Sequence, residues 1–312
     1  MGAVFHSTLS QIGFLFLLIA VGWLLAKLNV LPKGASAVLA KLETVIFVPA
    51  LVMSTFMQNF TTAKLTAASK TLAVSAVTLA GSVLLALIFA RLCAGDDYSR
   101  KLYTYGLAFS NFGFMGNAVI STVFPGIFLQ YLIFTIPFWM LIYLWGVPSL
   151  LIPGSKKSLG DRMRALVNPM FVGMVLGIVL GLTGWQLPGF ISSAVAVAGD
   201  CMSPIAMLLT GITVAGIGFK DSFGRLGVWA VSVIRLLLLP AIGIVVLLFL
   251  PLDASLEVCV VAVLAMPLGL NTIVIPASYG KNPAIGTSMA LLSHLLSCFT
   301  IPLVFWLMER IL

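Results

Sequence analysis

Charged residues are scarce in this chain of 312 residues: Asp, Glu, Lys and Arg make up 8%, whereas 61% of the residues are hydrophobic. This leaves too little polar surface to cover the exterior of a water-soluble globular protein. The mean hydropathy of +1.17 agrees. The composition therefore excludes a water-soluble protein and indicates an integral membrane protein.

The sequence also lacks the residue sets of common catalytic and metal chemistry. It has no Walker loop, no Ser, His and Asp set at a spacing that favours a protease, and no CxxC pair. No loop is long enough to hold a soluble domain, so selectivity must reside in the membrane helices. We therefore expect no enzyme activity, no metal site and no cofactor beyond a coupling proton or sodium ion. The scattered cysteines are interpreted as small core residues: Cys93, Cys201, Cys259 and Cys298.

Apolar runs long enough to cross ~30 Å of hydrocarbon as helices occur ten times, five in each half of the chain. An odd number of spans per half makes the two halves enter the membrane from opposite sides. We therefore expect an all-α polytopic membrane protein with an inverted repeat: residues 1–152, a cytoplasmic linker at 153–166, and residues 167–312. The runs are roughly Leu9 to Ala26, Glu43 to Met57, Thr71 to Ala90, Leu102 to Val123, Phe128 to Ile152, Met170 to Leu187, Ile191 to Gly218, Leu226 to Leu250, Leu256 to Ala277 and Ile285 to Met308.

Matched motifs in the two halves support the repeat. Gly113 and Gly269 lie 156 positions apart, and the same offset joins Leu31-Pro32 to Leu187-Pro188. Interrupted hydrophobic segments at corresponding places in two halves are the best sequence indication of a transporter's binding site.

The distribution of basic residues predicts the orientation. Thirteen Lys and Arg residues follow odd-numbered spans, whereas the other side has Lys64, Lys70 and Arg310. Under the positive-inside rule both termini lie outside the cytoplasm, and the net charge of +8 reflects this bias rather than nucleic-acid binding. The first span has no preceding basic residue and no small-residue cleavage site after it, so it is interpreted as a retained helix.

A polar, glycine-containing break interrupts the fourth span at residues 110–117. Gly113 and Gly116 allow the backbone to unwind, while Asn111 and Asn117 supply hydrogen-bond donors and acceptors. Backbone groups freed inside hydrocarbon cost several kcal/mol each unless protein, ligand or water satisfies them. Such a break is therefore typical of a binding site.

The ninth span carries a matching break at residues 266–271. Pro267 removes a helical N–H donor, and Asn271 supplies a side-chain amide. If the two spans cross near the midplane, half-helix N-termini point at the crossing and favour a carboxylate. The alternative is that the glycines only allow tight packing and the prolines only kink the helices. The predicted substrate-binding residues are Asn111, Gly113, Gly116, Asn117, Pro267 and Asn271.

Ionisable residues within apolar spans are candidates for carrying a coupling ion, because their charge is costly in hydrocarbon. Glu43 and Asp200 each precede a proline, in the second and seventh spans. Alternatively, Glu43 lies at the cytoplasmic interface and Asp200 caps a broken helix. His294 can titrate near neutral pH, although a lone buried histidine is more often a hydrogen-bonded structural residue. Arg235 either offsets an acidic partner, attracts an anion or snorkels to the interface.

Several segments along nearly the whole chain share a pattern with one family: Val21-Gly22-Trp23-Leu24-Leu25, Leu31-Pro32, Ile46-Phe47-Val48-Pro49-Ala50-Leu51, Asn111-Phe112-Gly113-Phe114-Met115-Gly116, Asn168-Pro169, Leu187-Pro188, Met266-Pro267, Pro276-Ala277-Ser278-Tyr279-Gly280 and Ile301-Pro302. In this order they resemble the auxin efflux carrier family in its bacterial branch, with PIN-like relatives described as malate or malonate permeases.

The resemblance implies a ten-helix inverted-repeat fold similar to that of bile-acid and sodium/proton transporters. A scaffold domain would come from spans 1, 2, 6 and 7, and a transport domain from spans 3–5 and 8–10. Substrate would bind where the broken fourth and ninth spans cross and move by an elevator-like displacement. A homodimer is expected because relatives with this architecture often form one.

Two residues depart from the family pattern. Asn117 stands where relatives often have proline, and His294 stands where a small hydroxyl residue is common. Both differences bear on substrate choice or ion coupling. The long cytoplasmic loop of plant members is absent from this sequence.

The expected function is secondary transport of a small organic anion across a bacterial inner membrane. The expected substrate is a mono- or dicarboxylate such as malate or malonate, or an auxin-like acid. One alternative is a sodium- or proton-coupled symporter or antiporter of a different solute, in which Glu43, Asp200 or His294 carries the ion. The other is a non-transporting membrane sensor.

Overall fold

The computed structural model describes residues 2–32, 34–152, 159–164, 167–215, 224–269, 271–278 and 284–312. Within these ranges the regular elements are helices, which confirms the all-α class. In chain order they are α1 (Gly2–Lys27), α2 (Ala35–Asn59), α3 (Thr62–Cys93), α4 (Asp97–Ala108), α5 (Phe112–Val123), α6 (Pro125–Leu151), α7 (Leu159–Arg164), α8 (Pro169–Thr183), α9 (Gly189–Ala215), α10 (Leu226–Leu247), α11 (Ala254–Ala265), α12 (Asn271–Ser278) and α13 (Ala284–Ile311).

Six of the described helices are long and apolar enough to cross a membrane: α2, α3 over Ala68–Cys93, α6, α9, α10 and α13. Shorter apolar helices of 10–17 residues are α1 from Gly13, α5, α8 and α11. The predicted fourth span is split into α4 and α5, and the predicted ninth into α11 and α12. Of the predicted linker, residues 153–158 and 165–166 lie outside the described residues, and the rest is α7.

Local sequence signals set the starts of α4 and α8. The backbone N–H of Ser99 donates to Asp96 Oδ1 (2.8 Å) at the start of α4, and the Ser99 hydroxyl donates to the same carboxylate. These hydrogen bonds hold the pKa of Asp96 below its ordinary value. Asn168 caps α8 in the same way, accepting from the Phe171 N–H (3.1 Å). Both are N-caps that satisfy amide groups left free by the first helical turn.

The described helices other than α7 pack in two groups. In the first, which we call the four-helix group, α1 packs along α9 and α2 packs along α8 and α9. Small residues allow the backbones to approach closely: a Cβ atom at Gly22 would overlap the Leu208 carbonyl, and one at Gly211 would overlap the Ile19 carbonyl. Close contact at small residues is the usual way in which membrane helices associate.

The second set of described helices, the eight-helix group, consists of α3 to α6 and α10 to α13. It meets the four-helix group where α1 and α9 pack on α5 and α13, and where α2 packs on α6. Ser121 of α5 and Ser203 of α9 have hydroxyl oxygens 3.3 Å apart at this boundary. Both broken helices therefore belong to the eight-helix group, and one of them borders the other group.

Candidate functional site

The breaks of the fourth and ninth spans lie against each other. Ser110 and Leu268 form an isolated antiparallel β-bridge. The backbone N–H of Asn111 donates to the Pro267 carbonyl (2.8 Å), and the Ser110 hydroxyl donates to the Val263 carbonyl (2.7 Å). Backbone groups freed by one break are therefore satisfied by the other, as a low-dielectric interior requires.

A buried arginine completes the hydrogen bonding of both breaks. Arg235 of α10 is fully buried, and its guanidinium donates from Nη1 to the Leu107 carbonyl (2.8 Å) and from Nε to the Met266 carbonyl (3.1 Å). Its Nη2 group donates to the Val263 carbonyl. None of the ion pairs among the described residues includes Arg235. The interpretation that Arg235 snorkels to the interface is therefore wrong, because its head group is bonded inside the protein.

Helix α13 forms hydrogen bonds with both breaks. Ser293 Oγ accepts a hydrogen bond from the Leu268 N–H (3.1 Å). The neighbouring His294 has Nδ1 2.7 Å from the Ala290 carbonyl and Nε2 3.1 Å from Asn111 Nδ2. Because a carbonyl only accepts, we assign the ring proton to Nδ1, which makes Nε2 an acceptor for the Asn111 amide.

A small cavity of about 20 Å³ lies at the crossing and is lined by residues from both breaks. Asn111 and Asn271 bring side-chain amides to it from the two halves of the chain. Asn271 Nδ2 donates to the hydroxyl of Tyr105 (3.1 Å), which fixes that amide at the wall. The lining residues are Tyr105, Ser110, Asn111, Phe112, Gly113, Phe114, Trp139, Ile142, Gly269 and Asn271.

A second cavity, of about 80 Å³, lies beside the first on the side of the four-helix group. The two cavities share Gly113, Phe114 and Trp139 as wall residues. A Cβ atom at Gly113 would overlap the Trp139 ring, so the glycine lets the indole approach the break closely. The second cavity is lined by Thr44, Val48, Gly113, Phe114, Trp139, Tyr143, Asn168, Pro169 and Met170.

Three of the predicted substrate-binding residues line neither cavity. A Cβ atom at Gly116 would overlap the hydroxyl of Tyr131, which donates to the Phe112 carbonyl (3.1 Å). Asn117 is buried, and its Oδ1 atom has no hydrogen-bond partner within the described ranges. Pro267 contributes its carbonyl to Asn111. In this structure Gly116 and Pro267 shape the crossing, while Asn117 keeps an acceptor unused.

One family model, described as a membrane transport protein, matches residues 7–159 and again residues 155–305. The chain belongs to the auxin efflux carrier family. No curated protein matches the sequence. Family membership makes the protein a membrane transporter, and its apolar helices make it an integral membrane protein.

The three ion-coupling candidates of this auxin efflux carrier family member have different surroundings. Glu43 is fully buried where a π-helical turn, Glu43–Phe47, packs on α8 and α9, and neither carboxylate oxygen has a hydrogen-bond partner among the described residues. Asp200 is exposed at the turn that divides α9. His294 is joined to Asn111 at the crossing. The described residues contain no group of three or more His, Cys, Asp or Glu that could hold a metal ion.

Sequence reasoning missed several residues of the carrier's crossing site. Tyr105 and Trp139 line the cavity, and Ser293 holds the second break, but each lies in an ordinary helical stretch with no local signal. The charge of Arg235 inside an apolar span did indicate a special position. Its partners could not be predicted, because they are backbone carbonyls.

Proposed function

We propose that this protein is a secondary transporter of a small organic anion, which binds in the crossing cavity. The observation that carries the proposal is that Asn111 and Asn271, from opposite halves, present amides to one cavity beside two helix breaks. Side-chain amides donate to a carboxylate, and the N-terminal ends of α5 and α12 add partial positive charge. The cavity of about 20 Å³ has room for one water molecule, so a mono- or dicarboxylate such as malate or malonate, or a small auxin-like acid, would enter only when the surrounding side chains move apart.

We further propose that the chain forms ten spans as an inverted five-plus-five repeat. The antiparallel direction of the Ser110 and Leu268 bridge supports this, because inverted repeats cross the membrane in opposite directions. The four-helix group would act as the scaffold domain and the eight-helix group as the transport domain, moving by an elevator-like displacement. We also propose that the protein forms a homodimer in a bacterial inner membrane.

The proposed orientation, with both termini outside the cytoplasm, indicates which side of the membrane the second cavity faces. Asn168 begins α8 shortly after the basic linker, and Thr44 follows Lys41 in α2, so both would lie near the cytoplasmic side. The second cavity would then connect the crossing to the cytoplasm. Substrate would leave or enter the crossing past Trp139 in this state.

Transport by purified protein in liposomes tests the proposal. Malonate and indole-3-acetate are suitable probes, each with and without a proton or sodium gradient. We expect Asn111→Ala and Asn271→Ala to abolish carboxylate transport while the protein stays monodisperse. Asn59→Ala is the matched control, because Asn59 bonds the Thr55 carbonyl of its own helix (3.0 Å) away from the crossing. Full transport by both variants would contradict the site, and a wild type that moves neither acid would contradict the function.

The second candidate function is proton-coupled transport, which the surroundings of Glu43 favour. A carboxylate buried without a partner is costly when ionised, and binding a proton would remove that cost. Such a group can carry a proton between two states that differ in its exposure. Glu43→Gln would then abolish gradient-driven accumulation but keep downhill exchange. Asp200→Asn, at an exposed site, is the comparison, and equal accumulation by wild type and Glu43→Gln would exclude this role of Glu43.

A further inference from the structure

The charge of Arg235 is balanced by carbonyl groups rather than by an acid. Among the described residues the fully buried charged side chains are Arg235 and Glu43, and Glu43 belongs to α2 in the other helix group. A guanidinium stays protonated in proteins, so the eight-helix group holds a permanent positive charge. Its partners are the carbonyls of Leu107, Val263 and Met266.

These carbonyls lie at the C-terminal ends of α4 and α11, where the helical hydrogen-bond pattern fails. Leu107 has no helical donor because the Asn111 N–H is bonded to Pro267 instead. The Val263 carbonyl has no helical donor either, because residue 267 is a proline and has no backbone N–H. The guanidinium thus replaces amide donors that the two breaks remove.

The same ends carry the negative poles of two helix dipoles. Each pole is equivalent to roughly −0.5 elementary charge, so two of them are offset by one guanidinium. The positive poles of the following helices, α5 and α12, have no such counter-charge in the contacts described above. The electrostatic potential of the crossing cavity is then dominated by these N-terminal ends and by the amides of Asn111 and Asn271.

We propose that Arg235 gives the crossing cavity its preference for anions, by neutralising the two negative helix ends behind it. The inference rests on the proposed anion transport and names the residue that sets the sign of the substrate's charge. Arg235 does not line the cavity, so it is a positioning and specificity-determining residue that acts through the helix ends. Without its charge the positive and negative ends would cancel, and an anion would lose its advantage over a neutral analogue.

The test compares each acid with its own amide in liposomes: malonate with malonamide, and indole-3-acetate with indole-3-acetamide. Half-saturation concentrations are measured for wild type, Arg235→Met, Arg235→Gln and Arg235→Lys. We expect the acid-to-amide preference to fall about tenfold or more in the Met and Gln variants and to stay within about threefold in the Lys variant. Arg235→Gln keeps N–H donors for the carbonyls and serves as the neutral variant if Arg235→Met does not fold.

Failure of this inference is distinguishable from failure of the proposed function. A wild type that takes neither acid contradicts the function. A wild type that prefers the acid, together with a folded neutral variant that prefers it as strongly, overturns the role of Arg235. An equal loss of affinity for the acid and its amide would show that only the hydrogen bonds of Arg235 matter. A Lys variant as impaired as the Met variant would show the same, and either result would also overturn the proposal.

Discussion

Asn111 Nδ2 lies 3.1 Å from His294 Nε2, so the break of the fourth span is tied to the last helix of the chain. The other ring nitrogen of His294 is bonded to the Ala290 carbonyl, so both nitrogens are in use. The imidazole therefore orients an amide that faces the crossing cavity.

For His294→Ala we expect a half-saturation concentration raised about 2- to 10-fold, the effect of one lost hydrogen bond of ~0.5–1.5 kcal/mol. The maximal rate and its pH dependence between about 6 and 8 should change little, since the ring acts through Asn111. Uptake measured against substrate concentration at several pH values checks this. A flattened pH profile with unchanged affinity would instead favour the coupling role of His294.

Gly116→Ala should disrupt the first break, because the added Cβ would overlap the Tyr131 hydroxyl. We expect lower thermal stability and at least about tenfold slower transport, through loss of the Tyr131 hydrogen bond to Phe112 and local displacement. Tyr131→Phe removes the overlapping oxygen, so the double variant should recover part of both losses. Strictly additive effects in this double-mutant cycle would contradict the contact.

Gly22→Ala should destabilise the four-helix group by about 1–3 kcal/mol, because its Cβ would overlap the Leu208 backbone. Gly13→Ala, in the same helix, adds a Cβ with no heavy atom within 4 Å. That control should be neutral or up to about 1 kcal/mol more stable, since alanine favours the helix. Thermal unfolding in detergent compares the two variants, and equal midpoints would contradict the close approach.

Asp96→Ala should lower the unfolding midpoint by a few degrees, as expected for loss of an N-cap worth ~1 kcal/mol. Because hydrogen bonds from Ser99 lower the pKa of Asp96, this stabilisation is present above the ordinary Asp pKa of ~3.9 and is lost as the pH falls through the lower folded value. The two proteins should therefore converge in acid. Asp96→Asn keeps a hydrogen-bond acceptor and should lose less stability. A difference in unfolding midpoint between wild type and Asp96→Ala that persists at low pH would exclude the carboxylate as the cap.

The sequence predicted the all-helical class and the two breaks, because apolar length and the chemistry of glycine, proline and asparagine act locally. The placement of Asn111 and Asn271 at one cavity agrees with the predicted crossing, although substrate binding by them stays a prediction. The burial of Glu43 was left open, because nearby Lys41 also suggested the interface. The carbonyl partners of Arg235 depend on tertiary contacts between residues more than 25 positions apart, which no local pattern encodes.

The hydrogen bonds that close the two breaks all run between members of the eight-helix group: Ser110 to Val263, Asn111 to Pro267, Leu268 to Ser293 and Arg235 to three carbonyls. A rigid-body shift of this group against its neighbour would leave every one of them intact. The activation barrier for such a shift would then come from sliding apolar side chains and from exchanging contacts such as that between Ser121 and Ser203. If the two groups move in this way, mutations at their boundary should change turnover without changing which solute is recognised.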